Sequence, residues 1–418
     1  MFKNQIITER DGVLSYLPLA HGYATSVEFA VMSRGVRISY FSGHISGILN
    51  DVKYAKPSLF IAVPRVLNKI KAGILQKFTS MGYLQQYMIS LALKYQTLAM
   101  RQGKRIAFWD KLVFNKLIEM FGGNLRFFAV GAAPMNPEDS EFLSVCFNAP
   151  VLEGYGLTET SAAAFMTLNN DHPVFGNVGS PFVATEFKLE SCPELEYTTE
   201  DIPCPRGEIC IRGECLFKGY YKNEEETKAV MDADGFFHTG DIGRLNSDNS
   251  LSIIDRKKNI FKLSQGEYVA AEHLESVYEE VPAVQQIFVY GNSHERYLIG
   301  IVGLDPILAL QEMKSIGLEV IEYKQEGWSD KYIENCQNPQ FVDHILTLLK
   351  MMAKKHELRG FEVVHNIYIE GHLEEGGMIF TEKNGMLTPT FKLKRHNCQV
   401  HYQSVIDQLY AQIHQSEH

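Results

Sequence analysis

The chain has 418 residues, 45% hydrophobic and 22% charged, which is enough apolar material for two or three cored domains and outside the range of a disordered chain. A formal charge of −10 argues against a general nucleic-acid binder, which needs a basic face to displace counterions, and no nucleic-acid partner is expected. Seven cysteines without a C-x-x-C pair (Cys146, Cys192, Cys204, Cys210, Cys215, Cys336 and Cys398) read as reduced thiols rather than as a disulfide frame or a zinc set.

The N-terminal residues 1–11 are polar and show no secretory h-region. Residues 13–19 (VLSYLPL) form a short apolar run, and 59–63 a second one closed by Pro64; both predict buried strands. Residues 65–100 carry a helical pattern, with Leu67, Ile70, Ile74 and Leu75 at helical spacing. Trp109, Leu112, Val113, Leu117 and Phe121 make another stripe, expected to face the core, and Gly122-Gly123 stops it. A strand over 125–130 follows, then the turn G-A-A-P, then Asn136 as an N-cap with Pro137 at the first helical position. Strand, tight turn and helix in this order predict a doubly wound α/β layer.

A strand near 150–152 leads into E-G-Y-G-L-T-E-T (153–160). From Phe187 the pattern changes to short alternating strands, clearest over 208–212, where Ile209 and Ile211 share a face. The expected boundary lies at 255–258. The chain divides into 1–257, with a β-rich part over 187–254, and a smaller α+β region over 258–418. There, helices are expected at 272–280, 341–356 and 400–414, and strands at 284–290, 297–304 and 363–369. His414 and His418 in the tail read as solvated. No uninterrupted apolar run reaches membrane-spanning length, so any membrane contact is expected to be peripheral.

Four segments carry groups suited to chemistry. Gly154 and Gly156 flank Tyr155 and let the backbone approach a flat ligand; Thr158 offers a hydroxyl to a phosphate and Glu159 a carboxylate to Mg²⁺. An ordinary strand-ending turn accounts for these residues equally well. In H-T-G-D, Asp241 can accept two hydrogen bonds from a ribose diol, although an isolated G-D pair is more often a plain turn. Arg256, Lys257, Lys258 and Lys262 follow Asp255 closely, either as a solvated face or as phosphate contacts. Lys392, in T-P-T-F-K-L-K-R, can neutralise charge developing on a carboxylate and a phosphate.

Taken together, G-A-A-P (131–134), E-G-Y-G-L-T-E-T, R-G-E-I (206–209), D-G-F-F-H-T-G-D (234–241), D-R-K-K-N-I-F-K-L-S-Q-G-E-Y-V (255–269) and L-T-P-T-F-K-L-K-R (387–395) resemble the adenylate-forming superfamily. Within it they are most similar to the long-chain fatty-acid–CoA ligases, as are L-P-L-A-H (17–21) and V-P-R-V-L-N (63–68). The resemblance implies an α/β adenylate-forming fold: a large domain with a parallel sheet and a small β-rich subdomain, hinged to a small α+β domain.

It implies a ligase using ATP, coenzyme A and Mg²⁺ to convert a long-chain fatty acid to acyl-AMP and then to acyl-CoA. Gly131, Ala132 and Ala133 would line the adenine and Tyr155 would stack on it, with Gly154 and Gly156 among the cofactor-binding positions. Thr158 would contact phosphate, Glu159 the metal, and Asp241 and Arg256 the ribose. Lys392 would serve the first step, with His21 beside it among the catalytic positions. Lys258 matches the hinge, and Lys262 and Gly266 would face the site in the second step. The family's cytosolic enzymes at the endoplasmic reticulum or mitochondrial outer membrane set the expected location.

The family's phosphate loop, Y-T-S-G-T-T-G-x-P-K-G, does not occur in this chain, and G-Y-A (22–24) stands where long-chain ligases show M-F-E. An N-terminally truncated ligase with impaired adenylation is therefore expected, with exposed strand edges. The alternative is a catalytically inactive AMP- or acyl-binding remnant with a regulatory role.

Overall fold

The computed structural model describes residues 7–43, 47–167, 174–320, 330–374, 377–388 and 391–416. It divides into two compact units, Met1–Ile253 and Ile254–His418. Pro389 and Thr390 of the C-terminal motif, and His418, lie outside the described residues.

The first unit begins with a doubly wound layer. Strands β1 (Gly12–Ser15), β2 (Arg37–Tyr40), β3 (Leu59–Ala62), β4 (Phe127–Val130) and β5 (Val151–Tyr155) are parallel and lie in the order β2-β1-β3-β4-β5. Short strands β6 (Phe165–Met166) and β7 (Ser180–Pro181) extend this sheet antiparallel beyond β5. Each parallel step needs a crossover. The helices Gly22–Met32, Ile48–Ala55, Pro64–Thr79, Tyr83–Arg101 and Pro137–Phe147 lie along these crossovers. Strand β3 reads LFIA and is buried throughout, as a strand covered on both faces must be.

Register places Ala62 opposite Val130, and Val130 opposite Glu153. The carboxyl ends of β3, β4 and β5 are therefore level, and the loops that follow them meet at one edge. Below that edge, Phe60, Phe121, Phe128 and Phe147 interlock edge to face, with centroids 5.0 to 6.1 Å apart. Strand β2 forms the outer edge of the layer, and Phe29, Met32 and Tyr40 beside it are exposed.

Two apolar stripes behave differently from their spacing. Leu67, Ile70 and Ile74 are buried, but Leu75 is exposed at the rim of its helix. In the second stripe Leu112 is exposed and Val113 half-buried, while Phe114 is fully buried. The cause is a π-helical turn, Asp110–Phe114, in which Asn115 N donates to Asp110 O five residues back. One extra residue in that turn brings Phe114 inward in place of Leu112, while Leu117 and Phe121 of the expected stripe are buried. Asn136 caps its helix as expected, its side chain accepting from Glu138 N at 2.8 Å.

A four-stranded antiparallel sheet follows, formed by β8 (Thr185–Glu190), β9 (Arg206–Gly213), β10 (Phe237–Leu245) and β11 (Leu251–Arg256) in the order β11-β10-β9-β8. Ile209, Ile211 and Leu251 pack with Ala164 and Phe165.

The second unit opens with a hairpin, β12 (Ile260–Lys262) and β13 (Tyr268–Ala270), which leads directly into the helix Ala271–Tyr278. Its central sheet is β14 (Val284–Tyr290), β15 (Leu298–Leu304) and β16 (Val364–Ile369), in that order. Ile287 and Val289 face Leu274, Tyr278, Phe341, Ile345 and Leu349 on one side. Phe288, Ile299 and Ile301 face Phe380, Tyr402, Ile406 and Leu409 on the other. The C-terminal helix expected over 400–414 is two helices, Arg395–His401 and Gln403–Ser416. His414 is exposed, as expected, and its Nε2 lies 3.0 Å from Glu295 Oε2. Among the described residues, no helix is long and apolar enough to cross a membrane.

Candidate nucleotide site and the lysine loops

In open α/β layers, ligands bind beyond the carboxyl ends of the strands. In the first unit the predicted residues converge there. Gly131 follows β4 directly, its N–H donating to Ala62 O at 3.3 Å. Ala132 has φ +74°, a left-handed conformation that a residue with a side chain adopts at a cost, typically where surrounding structure holds it for a purpose. The Tyr23 ring lies behind this turn: a Cβ at Gly131 would sit 3.4 Å from it, and the Tyr23 hydroxyl donates to Ala129 O at 2.9 Å. The helix carrying Tyr23 is capped by His21, whose Nδ1 accepts from Tyr23 N at 3.2 Å.

On the neighbouring strand, Gly156 is a steric requirement. A Cβ there would lie 2.2 Å from Ala162 O. Gly154 is less constrained, with its nearest neighbour at 3.5 Å. Tyr155 ends β5, its ring 5.9 Å from Phe165, and its hydroxyl donates to Asp241 Oδ2 at 2.7 Å. Asp241 is buried at the centre of β10, and its N–H donates to Thr239 Oγ1. Gly240 before it has φ +70°, the conformation that lets β10 bulge. Two motifs 86 residues apart thus share one hydrogen bond.

Thr158 and Glu159 form a single 3-10 turn, Thr158–Thr160. The Glu159 carboxylate accepts from the Tyr220 hydroxyl at 2.9 Å, and its carbonyl accepts from Phe217 N at 2.8 Å. Burial and the bonded carboxylate together push the Tyr220 phenol up to about 12, so it stays a donor at neutral pH. Glu153, at the start of the same motif, is buried. It accepts from Ser140 Oγ and Gly176 N, and burial pushes its carboxyl up to about 7.

His238 lies on the other side of β10's motif, with its Nδ1 3.5 Å from Cys210 Sγ. Burial pushes that thiol up to about 12. Lys188 already bridges the nearby Asp232 and Glu190 at 2.8 and 3.4 Å, so an ammonium balances these carboxylates.

The remaining predicted residues belong to the second unit. Arg256 ends β11, and its N–H donates to Asp255 Oδ1 at 2.6 Å. Burial and the neighbouring Glu272 push the Asp255 carboxyl up to about 7. Lys258 is exposed in the turn after it. Lys262 and Gly266 lie on one hairpin: Lys262 pairs with Tyr268 across it, with its ammonium 4.7 Å from that ring, and Gly266 turns the chain at φ +95°. Lys392 sits on a separate tight loop. Its N–H donates to Thr388 Oγ1, its carbonyl accepts from Thr388 N, and Leu387 bridges Leu393.

Tyr23, Tyr220 and Tyr268 were not singled out in sequence, because each acts on a partner that only the fold reveals. The departure G-Y-A at 22–24 was the sole sign that residue 23 differs locally.

A parallel layer carrying a left-handed turn and a Gly-Tyr-Gly segment at its carboxyl edge, with a buried aspartate of the antiparallel sheet bonded to that tyrosine, fits an adenylate-forming fold. The structure is similar to the adenylation domain of a carboxylate reductase from Mycobacterium chelonae, with TM-score 0.74 and 29% identity over 96% of this chain and 54% of that one. It is also similar to the A domain of a carboxylic acid reductase from Segniliparus rugosus, solved in complex with AMP and a co-purified carboxylic acid, with TM-score 0.72 and 27% identity over 96% and 55% of the two chains.

The AMP-binding enzyme family matches residues 2–221, and the chain belongs to that family. It is 40% identical over 404 residues to the peroxisomal long chain acyl-CoA synthetase 7 of Arabidopsis thaliana, covering 96% of this chain and 55% of that protein. It is 40% identical over 414 residues to fatty acyl-CoA synthetase A of Dictyostelium discoideum, covering 97% and 59%. The resemblance to long-chain acyl-CoA synthetases read from the motifs is thus borne out. The chain spans less than two thirds of the length of these relatives.

Proposed function

We propose that this chain carries the nucleotide-handling and thioester-forming parts of an ATP-dependent long-chain fatty-acid–CoA ligase. The observation that carries this reading is the Tyr155–Asp241 hydrogen bond, which sets a stacking ring and a buried diol acceptor side by side at the carboxyl edge of the sheet. A ribose hydroxyl pair is the natural competitor for Asp241, and the adenine face for Tyr155. The left-handed turn at Ala132 follows β4 at the same edge. Similarity to proteins named as acyl-CoA synthetases at about 40% identity supports the substrate class.

The Glu159 carboxylate, fixed by Tyr220, is a hard oxygen donor of the kind Mg²⁺ prefers, and Thr158 precedes it on the same turn. The ion would screen phosphate charge when bound. In the second unit, Lys392 supplies a cation for carboxylate attack on the α-phosphate, with loss of pyrophosphate. The Lys262–Gly266 hairpin serves the following step, in which the coenzyme A thiol attacks the acyl carbonyl and AMP leaves. Lys258 is the pivot between these uses of the second unit.

Calorimetric titration of the chain with AMP tests the reading. Saturable binding that Asp241→Ala weakens supports it; no binding by the folded chain would overturn it.

A further inference from the structure

Within the second unit, the two loops assigned to the two half-reactions are joined by one buried ion pair. Arg395 follows the Lys392 loop and opens the helix Arg395–His401. Glu275 lies on the helix Ala271–Tyr278, which continues from the hairpin carrying Lys262 and Gly266. Arg395 Nη2 donates to Glu275 Oε2 at 2.5 Å, and both side chains are largely buried, with 18% and 8% exposure. The positions are 120 residues apart in sequence.

The pair is also tied to the sheet. Glu275 Oε1 accepts from Val289 N at 2.8 Å, and Arg395 Nη1 donates to Val289 O at 3.3 Å. Val289 lies on β14, which is the outer strand of its sheet. Carboxylate and guanidinium thus engage the N–H and C=O of one peptide-bearing residue, as a neighbouring strand would. The guanidinium also lies 5.7 Å from the Phe288 ring centroid. Asp255 extends the network towards the strand at which the unit begins: its Oδ2 accepts from Glu272 N at 3.0 Å, at the start of the helix that bears Glu275. The Lys392 loop is held by Thr388, by Lys394 N donating to Met386 O, and by Met386, Leu387, Phe391 and Leu393 packing with Phe288 and Phe380; it includes a left-handed residue, Phe391, at φ +64°.

We propose that Arg395 is a positioning residue, whose fork onto Glu275 and Val289 holds the Lys392 loop in fixed register with the Lys262–Gly266 hairpin. The second unit then moves as one body with both lysine loops preset, and neither loop needs to order when its turn comes. Lysine cannot replace arginine in this role, because a single ammonium does not span a carboxylate and a carbonyl with directed donors. The inference rests on the ligase reading for the purpose of the loops, but its geometry stands independently of it.

Amide hydrogen exchange on the full chain, read by mass spectrometry, is the test. Arg395→Lys keeps the charge. It should raise exchange over 386–394 at least tenfold, while amides of β15 change less than twofold. Unchanged exchange over 386–394 would overturn the proposal. So would a rise shared equally by β15, which would reduce Arg395 to a general stabiliser. In pyrophosphate exchange with a fatty acid, the same variant should lose at least tenfold in rate at a KM for ATP within twofold of the parent; an unchanged rate also contradicts the proposal. A parent chain with no exchange activity bears on the ligase reading, and the hydrogen-exchange result still decides the role of Arg395.

Discussion

The Tyr155 hydroxyl and the Asp241 carboxylate meet at 2.7 Å, joining the end of a parallel strand to the middle of an antiparallel one. The contact separates two roles that substitution can resolve. Asp241→Ala removes a charged acceptor and should weaken AMP binding about 10- to 100-fold, the worth of a hydrogen bond to a charged group. Tyr155→Ala removes a stacking face and should cost about tenfold. Tyr155→Phe keeps the ring and should stay within about threefold. Calorimetry on the three variants gives the ranking, and a large loss for Tyr155→Phe would mean that the hydroxyl, not the ring, binds.

Gly156 and Gly154 look alike in sequence but differ in space. A Cβ at Gly156 would lie 2.2 Å from Ala162 O and 2.6 Å from its carbonyl carbon, both backbone atoms. Gly156→Ala should therefore destabilise the first unit by about 3 kcal/mol. Gly154→Ala, with 3.5 Å to its nearest neighbour, should cost less than about 1 kcal/mol. Urea midpoints of the two variants measure the contrast.

Glu153 gives the first unit a pH dependence. Its carboxyl is raised from 4.5 to about 7 by burial. The folded state therefore holds a proton that the unfolded state has released between these values. Stability from this group is fully present below 4.5 and is lost as pH rises through 7. Glu153→Gln mimics the protonated form and can still accept from Ser140 and Gly176. The variant should match the parent near pH 4.5 and exceed it above pH 7.5, by about 3 kcal/mol as an upper figure. Equal parent and variant stability at both pH values would show that Glu153 titrates normally.

The π-helical turn makes a prediction that helical spacing reverses. Phe114→Ala should cost about 3–5 kcal/mol because the ring is fully buried. Leu112→Ala, on the exposed side, should stay within about 1 kcal/mol. Thermal midpoints rank the two.

Continuous apolar runs made β3, β4 and β15 legible in sequence, and β14 was legible from its I-F-V-Y half, since buried strands have few other ways to be written. Asn136-Pro137 marked a helix start for a similarly local reason. Strand β2 was not legible: it reads R-I-S-Y, half-exposed, and gains its place only by pairing with β1. The hairpin of Lys262 and Gly266 was hidden by its charges, which resemble a solvated face. The π turn defeated periodicity locally: Leu112 is exposed and Phe114 buried, while Leu117 and Phe121 keep the expected inward face.

At the candidate site the motifs name residue types, whereas the partners of those residues come only from the fold. Tyr220 reaches Glu159 from 61 residues away, and Arg395 reaches Glu275 from 120. No pattern of spacing encodes such contacts; they exist only once both segments are folded.

Thioester formation from a supplied acyl adenylate tests the proposed ligase role most directly. Purified chain is mixed with palmitoyl-AMP and coenzyme A, and palmitoyl-CoA and AMP are followed by chromatography. Turnover above the uncatalysed rate is expected, lowered at least tenfold by Asp241→Ala and by Lys262→Ala. A folded chain that neither binds palmitoyl-AMP nor speeds its reaction with coenzyme A would contradict that role.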